Sequence, residues 1–249
     1  MSFGYEIDFV RRRYDRLASV YPLFNLLFWL PLNIRAKAVK QLELKLGDKV
    51  LEVGCGTGRN LRQLVEAVGP TGEVFGVDCC DAMLSKARDL SEHHQWHNVK
   101  LWQEDATEMR LPAPVDGVLF SLSYTVIPKP LTALEKAWEY LLPKRHVVIM
   151  DGKLAHGLVG RLSRPLVIFL SKATVLGDPD RQPWDDFEKV NAAGRNGRSQ
   201  FRHLLHLPWH KAGITLMIEA RWAGFLGHPS HFRDNSLFGA RTDKTVESR

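Results

Sequence analysis

Lys49-Val-Leu-Glu-Val-Gly-Cys-Gly-Thr-Gly58 is the stretch that decides the fold. A five-residue run, mostly apolar, leads without a break into three glycines at alternate positions. A short apolar run bounded by a turn is the pattern of a strand buried on both faces of a parallel sheet. The segment that follows, 60–68, places Leu61, Leu64, Val65 and Val68 at helical spacing. The local unit is therefore strand, glycine loop, helix. Glycines in such a loop let the backbone turn tightly and let a ligand approach where a Cβ would obstruct it. The dinucleotide fingerprint G-x-G-x-x-G does not fit, because its third glycine would fall on Arg59.

The same alternation continues downstream. Gly69-Pro-Thr-Gly72 breaks the helix, and strands are expected at 73–78, 98–103, 116–121 and 146–150. Helices are expected at 81–90, where Met83, Leu84, Ala87 and Leu90 share a face, and at 131–142. Upstream, 5–20 reads as a helix carrying Arg11, Arg12, Arg13 and Arg16. An apolar run at 21–32 and a helix at 33–44 follow. Alternating strands and helices predict an α/β protein with a doubly wound, mostly parallel sheet. Ligands in such sheets bind beyond the carboxyl ends of the strands, where the strand order reverses.

The residues at those ends form a set. Glu52 stands just before the glycine loop. Asp78, 20 residues beyond Gly58, ends the second strand, where a carboxylate can accept both hydroxyls of a ribose; the plainer reading is a helix cap. Asp105, followed by Ala106, ends the third strand. A dinucleotide site needs no acid there, whereas a site holding adenine by its edge does, since the exocyclic amine seeks an acceptor. Asp105 also reads as a capping carboxylate.

Val50–Asn60 resembles the first motif of class I S-adenosylmethionine-dependent methyltransferases. Gly76-Val-Asp-Cys-Cys-Asp-Ala-Met-Leu84 is similar to their second motif and Glu104-Asp-Ala106 to their third. The resemblance covers about residues 10–155. It implies the Rossmann-like sheet of that class, with an N-terminal helical lid. It also implies S-adenosyl-L-methionine as cofactor, with Glu52, Gly54, Cys55, Gly56, Gly58, Asp78, Cys79, Met83, Asp105, Ala106 and Ser121 around it. Within that set the glycines would pass beside the amino-acid part and Asp78 would hold the ribose. Cys79 and Met83 would line the adenine, Asp105 would bind its amine, and Ser121 would face the methionine moiety and the entering substrate.

At a finer level, Tyr14-Asp-Arg-Leu-Ala-Ser-Val-Tyr21 resembles the N-terminal helix of ubiquinone/menaquinone methyltransferases and of bacterial phosphatidylethanolamine and betaine-lipid N-methyltransferases. The resemblance implies methyl transfer to a small-molecule or lipid-like acceptor, a phospholipid head-group amine or a prenylated quinone precursor being favoured. The apolar run 21–32 lies between Arg11–Arg13 and Arg35, Lys37 and Lys40, and 160–172 repeats the theme. Such segments read first as core-packed helices with solvated cations. The sharper hypothesis is peripheral contact with an anionic membrane. The run is too short to span a bilayer, which takes about 20 apolar residues.

Chemistry at the acceptor depends on its nucleophile. A neutral amine needs no dedicated base, whereas a phenol or ring carbon does. Tyr14, Tyr124 and Asp151 are the candidates, each equally readable as a wall or structural polar group. The His93–His97 cluster lacks carboxylate or cysteine partners at ligand spacing, so no metal is expected.

The 249 residues carry a net charge of +6, which permits an anionic partner without requiring one. No aromatic-interleaved basic stripe points to nucleic acid. Three cysteines with no C-x-x-C pair, and no signal-peptide pattern at the start, point to a reduced, cytoplasmic setting. The expected organisation is a lid at 1–45, a cofactor core at 46–180 and an atypical, partly disordered C-terminal region at 181–249. The closing antiparallel hairpin of the class is best sought at 201–207 and 214–222, and 191–200 and 227–249 read as loop. The poor match in this region supports a second reading, a non-catalytic or degenerate cofactor-binding module. An NAD(P)-dependent reductase is disfavoured by the loop spacing and Asp105.

Overall fold

The computed structural model describes residues 6–17, 34–153, 200–209 and 213–221, with isolated positions at 162, 164, 165 and 168. The apolar run 21–32, most of 160–172, the loop expected at 191–200 apart from Gln200, which is in a strand, and that expected at 227–249 lie outside the described residues.

Seven strands form one sheet in the order β3-β2-β1-β4-β5-β7-β6. They are β1 Lys49–Val53, β2 Glu73–Asp78, β3 Val99–Gln103, β4 Val115–Ser121, β5 Leu141–Lys153, β6 Gln200–Trp209 and β7 Gly213–Arg221. The first five pair in parallel. β7 runs antiparallel to both β5 and β6. Helices among the described residues include α1 Ile7–Leu17, α2 Ile34–Gln41, α3 Leu61–Val68, α4 Asp81–His93 and α5 Pro130–Tyr140. This is the doubly wound, mostly parallel sheet expected of a Rossmann-like class I fold.

The two-residue period of the strands sorts their side chains between two apolar layers. Leu51 and Val53 of β1, with Phe75, Val77, Val118, Phe120, Val147 and Ile149, face α5, which contributes Ala133, Leu134 and Ala137. Val50, Val74, Leu119, Val148 and Met150 face the opposite way, onto α2 and α3 through Ile34, Ala38, Leu42, Leu61, Leu64 and Val68. Both faces are covered, which is why the central strands read as continuous apolar runs rather than alternating ones. Glu52 follows the second set, so its carboxylate enters the α2/α3 side at the carboxyl end of β1.

The closing hairpin is present at Gln200–Trp209 and Gly213–Arg221, in the region expected to be atypical. A register shift between His203 and Leu205 interrupts the pairing of β6 with β7. A bulge of this kind breaks the alternation that would mark a strand in sequence. Pro208 is compatible with β6 because that strand is the sheet edge.

Strand β5 is longer than the 146–150 expected, running from Leu141 to Lys153. The turn inside it, Pro143-Lys-Arg-His146, contains no glycine, and Lys144 takes φ +63°. A side chain in the left-handed region costs about 1–2 kcal/mol, part of which glycine gives back as chain entropy. Lys144→Gly is therefore expected to stabilise the fold by about 0.5–1 kcal/mol, read as a rise of a few degrees in the thermal midpoint. An unchanged or lower midpoint would contradict it.

Candidate functional site

The strand order reverses between β1 and β4, and a cleft opens beyond their carboxyl ends. It encloses about 860 Å³, part of it open to solvent. Its lining includes the acids Glu52, Asp78, Glu104 and Asp105, and apolar side chains from α1 (Ile7 and Val10) and from the segment after β4 (Leu122, Val126, Ile127 and Pro128).

The glycine loop forms part of the cleft's rim. Gly54 has φ +72°, and a Cβ built on it would lie 2.4 Å from the Ser123 Cβ, so neither the conformation nor the space admits a side chain. Gly56 has φ +54° with nothing within 4 Å of such a Cβ. There the glycine leaves open space at the cleft. The amides of Gly54 and Cys55 both donate to the Val77 carbonyl, at 2.8 and 3.1 Å, tying the loop to β2.

Asp78 holds the same loop from the end of β2. Its Oδ2 accepts from the Gly56 amide at 2.8 Å and its Oδ1 from the Cys80 amide at 2.9 Å. Burial pushes its pKa upward, and the bonds from Cys80 and Gly56 oppose that. Asp105 accepts from the Thr107 amide through Oδ1 at 2.8 Å while lining the cleft, so it caps a turn and borders the site at once. Ala106 lines the cleft beside it.

Cys79 and Met83 form the wall next to Asp78. Burial pushes the thiols of Cys79 and Cys80 up to about 12 and that of Cys55 well above its ordinary value. They stay protonated, as small apolar packing groups rather than nucleophiles. Helix α1 docks on this wall. Arg11 Nε donates to the Cys79 carbonyl at 2.9 Å, the Cys80 thiol donates to Asp15 Oδ1 at 3.0 Å, and Tyr14 packs against Cys80 and Met83.

Glu52 is 1% exposed. Its Oε1 accepts from Asn60 Nδ2, and its Oε2 has no hydrogen-bond partner. Arg35, from α2, donates from Nη1 to Asn60 Oδ1 at 3.2 Å and to Ser121 Oγ at 3.0 Å. Burial raises the Glu52 pKa to about 7, against the lowering effects of the Asn60 bond and the Arg35 charge. Its ordinary value is 4.5, so the folded protein holds this proton more tightly than the unfolded chain does. The stability that this brings is present at low pH and is lost as pH rises from 4.5 through about 7. Glu52→Gln is expected to remove this dependence and to stabilise the free protein at pH 8 by about 3 kcal/mol. Urea denaturation of both proteins at pH 5 and pH 8 measures it. Equal pH slopes would refute the assignment.

Two candidates for proton transfer lie elsewhere. Tyr124 is fully buried in the α5-side core and packs edge-on to Phe120, with ring centroids 5.4 Å apart. Asp151 is 6% exposed and accepts from the Thr125 amide at 2.9 Å and from Thr125 Oγ1 at 3.0 Å. Neither borders the cleft. The expectation erred for Asp151 because β5 continues to Lys153, pairing with Ile214, so this residue lies within a strand and not at its tip. Tyr14 and Ser121 do border the cleft. Sequence reasoning missed Arg35, Asn60 and Ser123. Asn60 had a visible signal, its place directly after the glycine loop, whereas Arg35 is distant in sequence from both of its partners.

His94 stacks on Trp96, with centroids 4.6 Å apart, and meets His93 edge-on. Among the described residues no group of three His, Cys, Asp or Glu side chains could hold a metal ion. Nor is any described helix long and apolar enough to cross a membrane.

A family model described as a methyltransferase domain matches residues 44–168, half of the chain. The demethylmenaquinone methyltransferase of Geobacillus sp. (strain WCH70) is 32% identical over 145 residues, a stretch covering 57% of this chain and 59% of that protein. The Staphylococcus aureus (strain JH9) enzyme of the same name is 32% identical over 143 residues, covering 57% of this chain and 56% of that protein. The match thus spans less than two thirds of those relatives' length. Among solved structures, a SAM-dependent methyltransferase from Aquifex aeolicus superimposes with TM-score 0.57 at 19% identity, over 87% of this chain and 98% of that one.

Proposed function

The chain belongs to the methyltransferase-domain family, and from that premise we propose that it transfers a methyl group from S-adenosyl-L-methionine to a prenylated quinol-type acceptor. The observation that carries the reading is the convergence of Glu52, Asp78 and Asp105, from three adjacent strands, on one cleft rimmed by the glycine loop.

The cleft fits the cofactor on its own terms. Asp78 spends one lone pair of each oxygen on the protein, leaving acceptor capacity for the two ribose hydroxyls. Asp105 Oδ2 can accept from the adenine amine, between Cys79 and Met83. The open face of Gly56 admits the chain of the amino acid. The unpartnered Glu52 Oε2 suits a buried ammonium group. Bound there, the sulfonium would supply an electrophilic methyl group.

The protein's share of the reaction is placement and exclusion of water. Ile7, Val10, Val126 and Ile127 bring apolar surface to the acceptor end, which suits a ring and prenyl tail. Methylation of a ring carbon needs the acceptor phenol deprotonated; its proton would leave to solvent, and Tyr14, which borders the cleft, is the proposed hydrogen-bond donor to the resulting phenolate. The quinone relatives favour this acceptor class over a phospholipid head group. Delivery from an anionic membrane, through the basic face of α1, forms part of the proposal. The alternative of a degenerate copy loses its ground, since β6 and β7 complete the sheet.

Calorimetric titration with S-adenosylhomocysteine tests the cofactor reading, and absence of uptake by folded protein would overturn it. Because an ammonium beside Oε2 would drive Glu52 to ionise, uptake near pH 6 is expected to release a proton, visible as a dependence of the heat on buffer ionisation enthalpy. Labelled methyl transfer to a demethylmenaquinone, set against a phospholipid extract, tests the acceptor. Label in the lipid alone would reject the quinol. Sedimentation with phosphatidylglycerol vesicles at low salt tests the membrane contact, and protein remaining in solution would reject it.

A further inference from the structure

Among the described residues four non-glycines adopt left-handed backbone. Glu43, Gln95 and Lys144 are exposed polar residues away from the cleft. The fourth is Leu122, at φ +57°, half-buried and lining the cleft immediately beyond β4. A left-handed leucine persists only where its surroundings over-determine it.

Those surroundings are visible on both sides. The Leu122 amide donates to the Met150 carbonyl at 2.7 Å. Before it, Ser121 Oγ is bonded to Arg35. After it, Ser123 Oγ donates to the Val53 carbonyl at 2.6 Å, and the Ser123 carbonyl accepts from the amides of Val126 and Ile127, each at 3.1 Å. Thr125 is locked to Asp151. A glycine or asparagine would sit in this clamped turn with less strain. The leucine side chain packs on the α2/α3-side core and borders the cleft, so it holds an apolar surface there that glycine or asparagine would not.

We infer that Leu122 is a specificity-determining residue for the acceptor, the rigid apolar wall at the tip of β4 against which a flat ring is placed in line with the transferred methyl. The inference rests on the proposed function for the direction from which the acceptor enters. The left-handed backbone turns the side chain out of the strand's alternation, and the clamp keeps it from yielding when a ring presses on it.

The test titrates 1,4-naphthoquinone into protein loaded with S-adenosylhomocysteine, comparing wild type with Leu122→Asn and Leu122→Gly. Both variants tolerate the left-handed turn, and the second covers the case in which the first fails to fold. Wild-type uptake is expected to weaken at least tenfold in the variants, while S-adenosylhomocysteine affinity stays within twofold. In turnover, the acceptor KM should rise more than kcat falls. Lack of uptake by wild type, equal uptake by the variants, or a parallel loss of S-adenosylhomocysteine affinity would each overturn the inference. Uptake with the expected variant pattern but no label transfer supports the wall and rejects the methyl-transfer reading, so the two failures are distinct.

Discussion

Asp78→Ala is expected to weaken S-adenosylhomocysteine binding by a factor of about 10²–10⁴. Hydrogen bonds to a charged acceptor contribute about 1.5–3 kcal/mol each, and two ribose hydroxyls would lose theirs. Each 1.4 kcal/mol is a factor of ten in affinity. The loss extends beyond the ligand, because the same carboxylate holds the Gly56 and Cys80 amides and so shapes the loop. Asp78→Asn separates these contributions. Its amide nitrogen must face one of two backbone N–H groups, a donor against a donor, so it too should bind weakly despite its matching size. Calorimetry gives the affinities, and thermal denaturation checks that both variants fold. Affinity of Asp78→Ala within fivefold of wild type would remove Asp78 from the site.

The second large effect is expected at the opposite end of the sheet. Arg145 reaches Asp48 through Nη1 and Nη2 at 3.1 and 3.2 Å, and Asp116 through Nη2 at 2.6 Å. The two aspartates are 8% and 9% exposed, and they also accept from the Lys45 and Lys49 amides. One guanidinium thus neutralises two nearly buried carboxylates where β1, β4 and β5 begin. Arg145→Ala leaves both uncompensated, at a cost of about 3 kcal/mol. For a chain of this size the thermal midpoint should fall by roughly 6–12 °C. In an Asp116→Asn background the same change should cost less, because one charge has already gone. Affinity for S-adenosylhomocysteine in the folded protein should not change, since the cleft lies at the other ends of these strands. A fall of less than about 2 °C would show the pair to be ordinary surface charge.

What could be read along the chain was whatever the backbone period expresses locally. Strands β1, β2 and β4 are buried on both faces, β1 runs into the glycine loop, and β2 and β3 end at acids, so their positions were visible, whereas the full extent of β5 was not. That rule singled out Glu52, Asp78 and Asp105 as candidates, and all three border one cleft. The hairpin was harder, because the register shift at His203–Leu205 breaks the alternation on which the rule depends. Tyr124 and Asp151 were misread for a related reason. Both follow a strand in sequence, but one turns back into the core and the other remains inside a strand that β7 prolongs.

Amino-acid order by itself determined the doubly wound sheet and the three acids at its strand tips, since apolar period, glycine spacing and chain direction act over a few residues. Tertiary structure alone decided that Arg35 joins Asn60 and Ser121, that burial lifts Glu52 to about 7, and that Leu122 is clamped in a left-handed turn. Each of these depends on groups 25 or more residues apart, or on the removal of water, and neither leaves a periodic trace in the chain.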